Sequence, residues 1–124
     1  MNHTIMVVDD DPIIRRILRR ILESDGYRVI AEAGDGAEAV EKYRELRPAI
    51  TILDNMMPEM NGIEASRKIV ALDRDAKLIM CSSLCRNMFE SSARMAGVRE
   101  LIPKPFTVQQ VLDVVGRFSC TPAE

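Results

Sequence analysis

The sequence predicts an α/β fold, a five-stranded parallel sheet covered by helices on both faces, and two observations carry that prediction. Short apolar runs alternate along the chain with longer stretches whose apolar residues recur at helical spacing. The runs also stop abruptly at acids, a hydroxyl residue, Gly or Pro, so they read as buried strands rather than pieces of helix. Such alternation implies a doubly wound (βα)5 arrangement with right-handed crossovers. At 124 residues the chain is expected to form one domain, 1–124, with no low-complexity stretch or linker.

Thr4-Ile5-Met6-Val7-Val8 is the first strand, and it delivers Asp9-Asp10-Asp11-Pro12. Pro12 suits a first helical turn, with Asp11 or Asp10 near the cap. That helix runs from about Ile13 to Ser24 and is closed by Asp25-Gly26. Ile14, Ile17, Leu18, Ile21 and Leu22 form its apolar stripe, with Arg15, Arg16, Arg19 and Arg20 opposite. Tyr27 to Ala33 is β-rich, and Gly34-Asp35-Gly36 is a turn. Ala37 to Leu46 reads as a helix with Val40, Tyr43 and Leu46 inward and Glu38 paired with Lys42. Ile50 to Leu53 is the central strand, ending at Asp54, and the turn residues Pro58, Asn61 and Gly62 separate it from a helix over Ile63 to Leu72. Lys77 to Cys81 is the fourth strand, ending in Ser82-Ser83. From Arg86 to Ala96 the apolar face is weaker, with Met88, Phe89, Met95 and Ala96, and Gly97 suits a C-cap. Glu100-Leu101-Ile102 is a short fifth strand running into Pro103-Lys104-Pro105-Phe106. Thr107-Val108-Gln109-Gln110 is a capping box that opens a last helix through about Phe118, with Val108, Val111, Leu112 and Val115 inward.

Composition narrows the function. A net charge of -2 argues against direct nucleic-acid binding, and no apolar run approaches the roughly 20 residues of a membrane helix. The start lacks an export signal. Three cysteines, Cys81, Cys85 and Cys120, make an odd count without a CxxC pair, as expected for a reducing cytoplasm. His3 reads as a terminal surface residue, and Met56, Met57 and Met60 as packing rather than metal ligands through sulfur.

The chemistry lies at strand ends. In a parallel sheet all carboxyl ends face one way, so Asp9 and Asp10, Asp54, Ser82 and Lys104 are brought to one edge, where open sheets place their ligands. Each alone is an ordinary solvated loop residue; their convergence is what points to a site. Like charges about 4 Å apart at an effective dielectric near 20 cost on the order of 4 kcal/mol, so either a proton or a cation must intervene. Oxygen ligands without Cys or His favour a hard ion, and Mg2+ fits best because it uses one or two carboxylates with phosphate and water. A carboxylate nucleophile, a metal and a lysine suit phosphoryl transfer through an aspartyl phosphate.

The chain resembles the receiver domain of bacterial two-component response regulators, chemotaxis regulators in particular. The resemblance rests on Val8-Asp9-Asp10-Asp11-Pro12, Ala33-Gly34-Asp35-Gly36-Ala37-Glu38-Ala39, Leu53-Asp54 with Met57-Pro58-Glu59-Met60-Asn61-Gly62, Ile79-Met80-Cys81-Ser82, Ala96-Gly97 and Lys104-Pro105-Phe106. It spans nearly the whole chain and implies a flavodoxin-like sheet of order 2-1-3-4-5. It also implies that Asp54 accepts a phosphoryl group from the phosphohistidine of a sensor histidine kinase or phosphotransfer protein. Asp10, Asp54 and the main-chain carbonyl of Met56 would bind Mg2+, with Asp9 acting through water. Ser82 and Lys104 would contact phosphoryl oxygens, and the Lys104-Pro105 peptide would be cis. Phosphorylation would reshape the face formed by the fourth helix, fifth strand and fifth helix, to which a downstream protein binds, while the first helix docks the kinase. Met56 and Leu84 would control water access to the phosphorylated group. Such a protein catalyses only its own phosphorylation and dephosphorylation.

The sequence departs from the family pattern at Asn55, where an apolar residue is usual, at Ala49 in place of an acid, and at Leu101 in place of an aromatic switch residue. Three alternatives stand beside the receiver. A Mg2+-dependent aspartyl phosphatase would want an acid two residues after the nucleophile, where Met56 stands. A flavin domain would want a Ser/Thr/Gly-rich phosphate loop where Asp9-Asp10-Asp11 lies. The third alternative is the receiver portion of a larger DNA-binding regulator.

Overall fold

The computed structural model describes residues 4–83 and 86–119. Strands β1 (Thr4–Val8), β2 (Arg28–Ala33), β3 (Ile50–Leu53), β4 (Leu78–Ser82) and β5 (Val98–Pro103) alternate with helices α1 (Pro12–Ser24), α2 (Gly36–Leu46), α3 (Gly62–Leu72), α4 (Arg86–Met95) and α5 (Val108–Ser119). Neighbouring strands pair in parallel in the order β2-β1-β3-β4-β5, the expected topology. The winding reverses between β1 and β3, which opens a crevice beyond their carboxyl ends.

Alternation along the strands builds one core on each face of the sheet. Ile5, Val7, Ile50, Ile52, Ile79 and Ile102 pack with Leu18, Ile21 and Leu22 of α1 and Val111, Val114 and Val115 of α5. Met6, Val8, Leu53, Leu78 and Met80 pack on the other face with Val40 and Tyr43 of α2, Ile69 of α3 and Ala93 of α4. Each large side chain fully buried here contributes roughly 1.5–3 kcal/mol. Burial on both faces is why β1 and β3 read as continuous apolar runs. Thr51 breaks the run: it is 0% exposed, and its hydroxyl has no hydrogen-bond partner among the described residues.

The caps explain where the helices begin. Asp11, not Asp10, is the N-cap of α1, its Oδ1 accepting from the Ile13 N–H at 2.9 Å, with Pro12 at the first helical position. Asn61 and Glu64 form a reciprocal capping box on α3, and Thr107 and Gln110 do so at the start of α5. α4 ends before Gly97, whose φ of +106° favours glycine. β5 is longer than expected because Val98 already pairs with Leu78.

Several residues expected inside are exposed. Ile17, Leu46, Met95 and Val108 are open to solvent, because helices lying on a sheet bury only a narrow stripe. Ile17 lies off that stripe. Leu46 and Met95 close their helices and Val108 opens its own. The expectations for His3, Leu84, Cys85 and Cys120, and for the side chains of Met88 and Phe89, fall outside the described residues.

Candidate functional site

The strand ends meet as topology requires. β1 delivers Asp9, whose N–H donates to the Ala33 carbonyl of β2 at 3.0 Å, and β3 delivers Asp54, whose N–H donates to the Val8 carbonyl at 2.9 Å. One carboxylate oxygen from each of Asp9, Asp10 and Asp54 lies within 4.8 Å of the others. Asp9 and Asp54 are 2% and 6% exposed, whereas Asp10 faces solvent, so the cluster has a dry floor and an open mouth.

Lys104 closes the cluster from the β5 side. Its Nζ donates to Asp9 Oδ2 at 2.6 Å and lies 3.5 Å from Asp54 Oδ1. Its own N–H donates to the Ser82 carbonyl at 3.0 Å, and the Lys104-Pro105 peptide is cis, as expected. Ser82 ends β4 and is 4% exposed, on the same edge. The ammonium therefore reaches the acids from a backbone that is itself bonded to the hydroxyl-bearing residue.

Charge in the cluster is unbalanced, with three carboxylates against one ammonium. Burial pushes the Asp54 carboxyl above its ordinary range, and the nearby Asp9 charge adds to this; Lys104 and the Met56 N–H act in the opposite sense. Burial also works against the Lys104 ammonium, but the hydrogen bond to Asp9 and the charges of Asp54 and Asp9 outweigh it and hold its pKa up. Oxygen-only donors, an uncompensated negative charge and an open mouth fit a hard divalent cation. Asp10 and Asp54 are placed to hold one, with Asp9 engaged by the lysine. The neighbouring Cys81 thiol is buried and its pKa pushed up to about 12, which removes it from the chemistry as a nucleophile.

Three side chains make supporting contacts that apolar spacing does not announce. Arg15, expected on a solvated face, donates through Nη1 to the Asp9 carbonyl at 2.6 Å and through Nε to Glu32 at 3.0 Å. Arg19 also turns inward, to Glu32 at 2.8 Å. Asn55, a departure from the family pattern, accepts from the Ile63 N–H through its side chain at 3.1 Å. Glu32 on β2 was the available signal for the arginines, since strand alternation turns it out of the core (Ala31, Ala33). Nothing in the sequence announced the Asn55 contact, which depends on where α3 begins.

Comparison with known proteins adds an independent observation. The family described as response regulator receiver domain matches residues 5–116. The chemotaxis protein CheY of Thermotoga maritima is 40% identical over 119 residues, covering 96% of this chain and 99% of that protein. The CheY of Bacillus subtilis is 40% identical over 117 residues, covering 94% and 98%. Among solved structures, a chain of the CheX-CheY-BeF3-Mg2+ complex from Borrelia burgdorferi superposes with a TM-score of 0.91 at 32% identity, covering 95% of this chain and 90% of that one.

Proposed function

The chain belongs to the response regulator receiver family, the phosphoryl-accepting module of two-component signalling, and from that premise we propose that Asp54 is its acceptor, served by Asp10, Asp9, Ser82 and Lys104. The observation that carries this reading is the meeting of a buried Asp54 with Asp9, Asp10 and the Lys104 ammonium at one sheet edge. A carboxylate oxygen of Asp54 attacks the phosphorus of a phosphohistidine. The P–N bond breaks, an acyl phosphate forms, and the imidazole leaves with its electron pair and is protonated. Lys104, already between Asp9 and Asp54, offsets the added negative charge, and the Ser82 hydroxyl donates to a phosphoryl oxygen. When bound by Asp10, Asp54 and the Met56 carbonyl, Mg2+ supplies charge neutralisation of the transferring group. In a separate step water attacks the phosphorus of the acyl phosphate, the P–O bond to Asp54 breaks, and inorganic phosphate and the free carboxylate are released, which makes the protein the catalyst of its own dephosphorylation.

The phosphoryl donor is a sensor histidine kinase or phosphotransfer protein, and its dock is the outer face of α1. Arg15 and Arg19 are turned away to Glu32. Ile13, Arg16, Ile17 and Arg20 remain exposed at i, i+3, i+4 and i+7, and neither Arg16 nor Arg20 forms an ion pair among the described residues. The output is the α4–β5–α5 face, where Glu100 of β5 reaches Arg117 of α5 at 2.9 Å and Arg94 of α4 at 3.9 Å. Drawing Ser82 and Lys104 toward a phosphoryl group pulls on β4 and β5 together through their shared backbone bond, and so biases that face. Residues 1–124 act as one receiver domain. No described helix is long and apolar enough to cross a membrane.

Intact mass spectrometry after incubation with acetyl phosphate and Mg2+ tests the reading. The wild type gains one phosphoryl group, and Asp54→Asn gains none. Equal labelling of both proteins, or none of either, would sink it.

A further inference from the structure

Asn55 follows the acceptor directly and gives two oxygens to the amino end of α3. Its carbonyl accepts from the Gly62 N–H at 2.9 Å, and its side-chain Oδ1 accepts from the Ile63 N–H at 3.1 Å. Asn61 Oδ1 takes the next donor, the Glu64 N–H, at 2.9 Å. A helix leaves its first N–H groups without intrahelical partners, and here the residue next to the acceptor meets two of them. Residues 56–61 are thereby closed into a loop whose neck is Asn55 against Gly62 and Ile63. Gly62 admits that closure because a Cβ there would collide with the Asp54 carbonyl oxygen. The far side of the loop is seated as well, since a Cβ on Gly36 at the start of α2 would lie 2.5 Å from the Met60 carbonyl oxygen. Met56 is the first residue past the neck.

We propose that Asn55 is a positioning residue for Mg2+, its side-chain amide closing the neck of the loop so that the Met56 carbonyl is already aimed at the acid cluster when the ion arrives. An apolar side chain of the same size would leave the Ile63 N–H unmet and the neck held by the single backbone bond from Gly62. A ligand fixed in advance loses less freedom on binding, and groups that orient metal ligands carry much of a site's affinity. The inference rests on the reading of the Met56 carbonyl as a metal ligand, and it gives the unusual residue after the acceptor a defined task.

The test removes either end of one hydrogen bond. Asn55→Leu deletes the acceptor and Ile63→Pro deletes the donor, in a first helical turn where proline is tolerated. Mg2+ alone is titrated calorimetrically into the unphosphorylated full chain, and exchange of the Ile63 amide is followed by NMR without metal. Each variant should bind Mg2+ about tenfold more weakly. The double variant should be no weaker than the weaker single, since both lose the same bond. The Ile63 amide should exchange slowly in the wild type and quickly in Asn55→Leu. If Asn55→Leu does not fold, Ile63→Pro carries the measurement. Asn61→Ala separates positioning from general support of α3: it removes a neighbouring cap on the same helix and should leave Mg2+ affinity unchanged. Wild-type affinity in both neck variants, or an equal loss in Asn61→Ala, overturns the proposal. Failure of the wild type to bind Mg2+, or undiminished binding by Asp10→Asn and Asp54→Asn, removes the underlying reading and the proposal with it.

Discussion

The Lys104 ammonium is held by Asp9, at 2.6 Å, rather than by Asp54, at 3.5 Å. The lysine therefore neutralises the more buried of the two acids and stands beside the proposed acceptor. Removing it strands Asp9, 2% exposed, next to another carboxylate. Breaking a fully buried pair costs about 3–5 kcal/mol. With Lys104 still 18% exposed, Lys104→Met should destabilise by about 2 kcal/mol in urea titration after allowance for solvent screening. Its folded pKa is raised, so its contribution is complete below the ordinary lysine value of 10.5 and declines only as pH rises through the folded value. Adding Asp9→Asn should restore part of the loss at neutral pH. Additive losses in the double variant would mean that the pair does not act as one.

Asp54 yields a prediction of opposite character. Burial raises its pKa above the ordinary 3.8, with Asp9 assisting. A carboxyl raised on folding stabilises the fold while protonated, below the ordinary value, and that benefit is lost as pH rises through the folded value. Ionised Asp54 therefore strains the fold at neutral pH. Asp54→Asn should melt higher at pH 7, by a few degrees, since at this chain length about 1 kcal/mol corresponds to roughly 4 °C. The gap should close as pH falls toward 3.8. Mg2+ should also narrow it, by stabilising the wild type alone. Calorimetric melts across pH decide this, and a gap unaffected by pH would refute the account.

How much of this was legible in the sequence depended on the kind of interaction. Strand ends and their acids were readable because a parallel sheet forces Asp9, Asp54, Ser82 and Lys104 to one edge whatever their side chains do. The starts of the first and last helices were readable from short-range capping chemistry at Asp11 and Thr107. The inward turn of Arg15 and Arg19 was not, because it depends on the position of Glu32 on an edge strand across the fold. The Asn55 bond was hidden for a related reason: it spans eight residues of irregular loop whose path no periodicity records. Exposure of Ile17 and Val108 depended on how each helix seats on the sheet, which apolar spacing alone does not specify.

Thr51 offers a stabilising substitution in the middle of the sheet. It is wholly buried in β3, and its hydroxyl lacks a hydrogen-bond partner among the described residues. A buried hydroxyl left unpaired carries a desolvation cost of about 1–3 kcal/mol, and valine keeps the branched shape without that cost. Thr51→Val should therefore gain about 1 kcal/mol in denaturant titration with an unchanged slope. Phosphorylation by acetyl phosphate should be unaffected, since Thr51 lies three residues inside the sheet from Asp54. A destabilised variant would show that the hydroxyl is satisfied in solution.

The outer face of α1 separates docking from stability. Arg15 ties Glu32 to the Asp9 carbonyl, and Arg19 ties Glu32 to Glu23, so reversing either charge breaks internal contacts. Arg16 and Arg20 are exposed beside Ile13 and Ile17 and make no such contacts among the described residues. Reversing both, Arg16→Glu with Arg20→Glu, should leave the melting temperature near that of the wild type. Transfer from a phosphorylated histidine donor should slow about tenfold or more as electrostatic complementarity is lost, with the small-molecule reaction unchanged. Arg15→Glu should instead weaken both reactions and lower the melting temperature, because it withdraws a support from the loop bearing Asp9. Stopped-flow transfer from the kinase, run beside acetyl phosphate labelling, distinguishes the two. If the exposed pair slowed both donors equally, the face would not be a dock, and its isoleucines would need another partner.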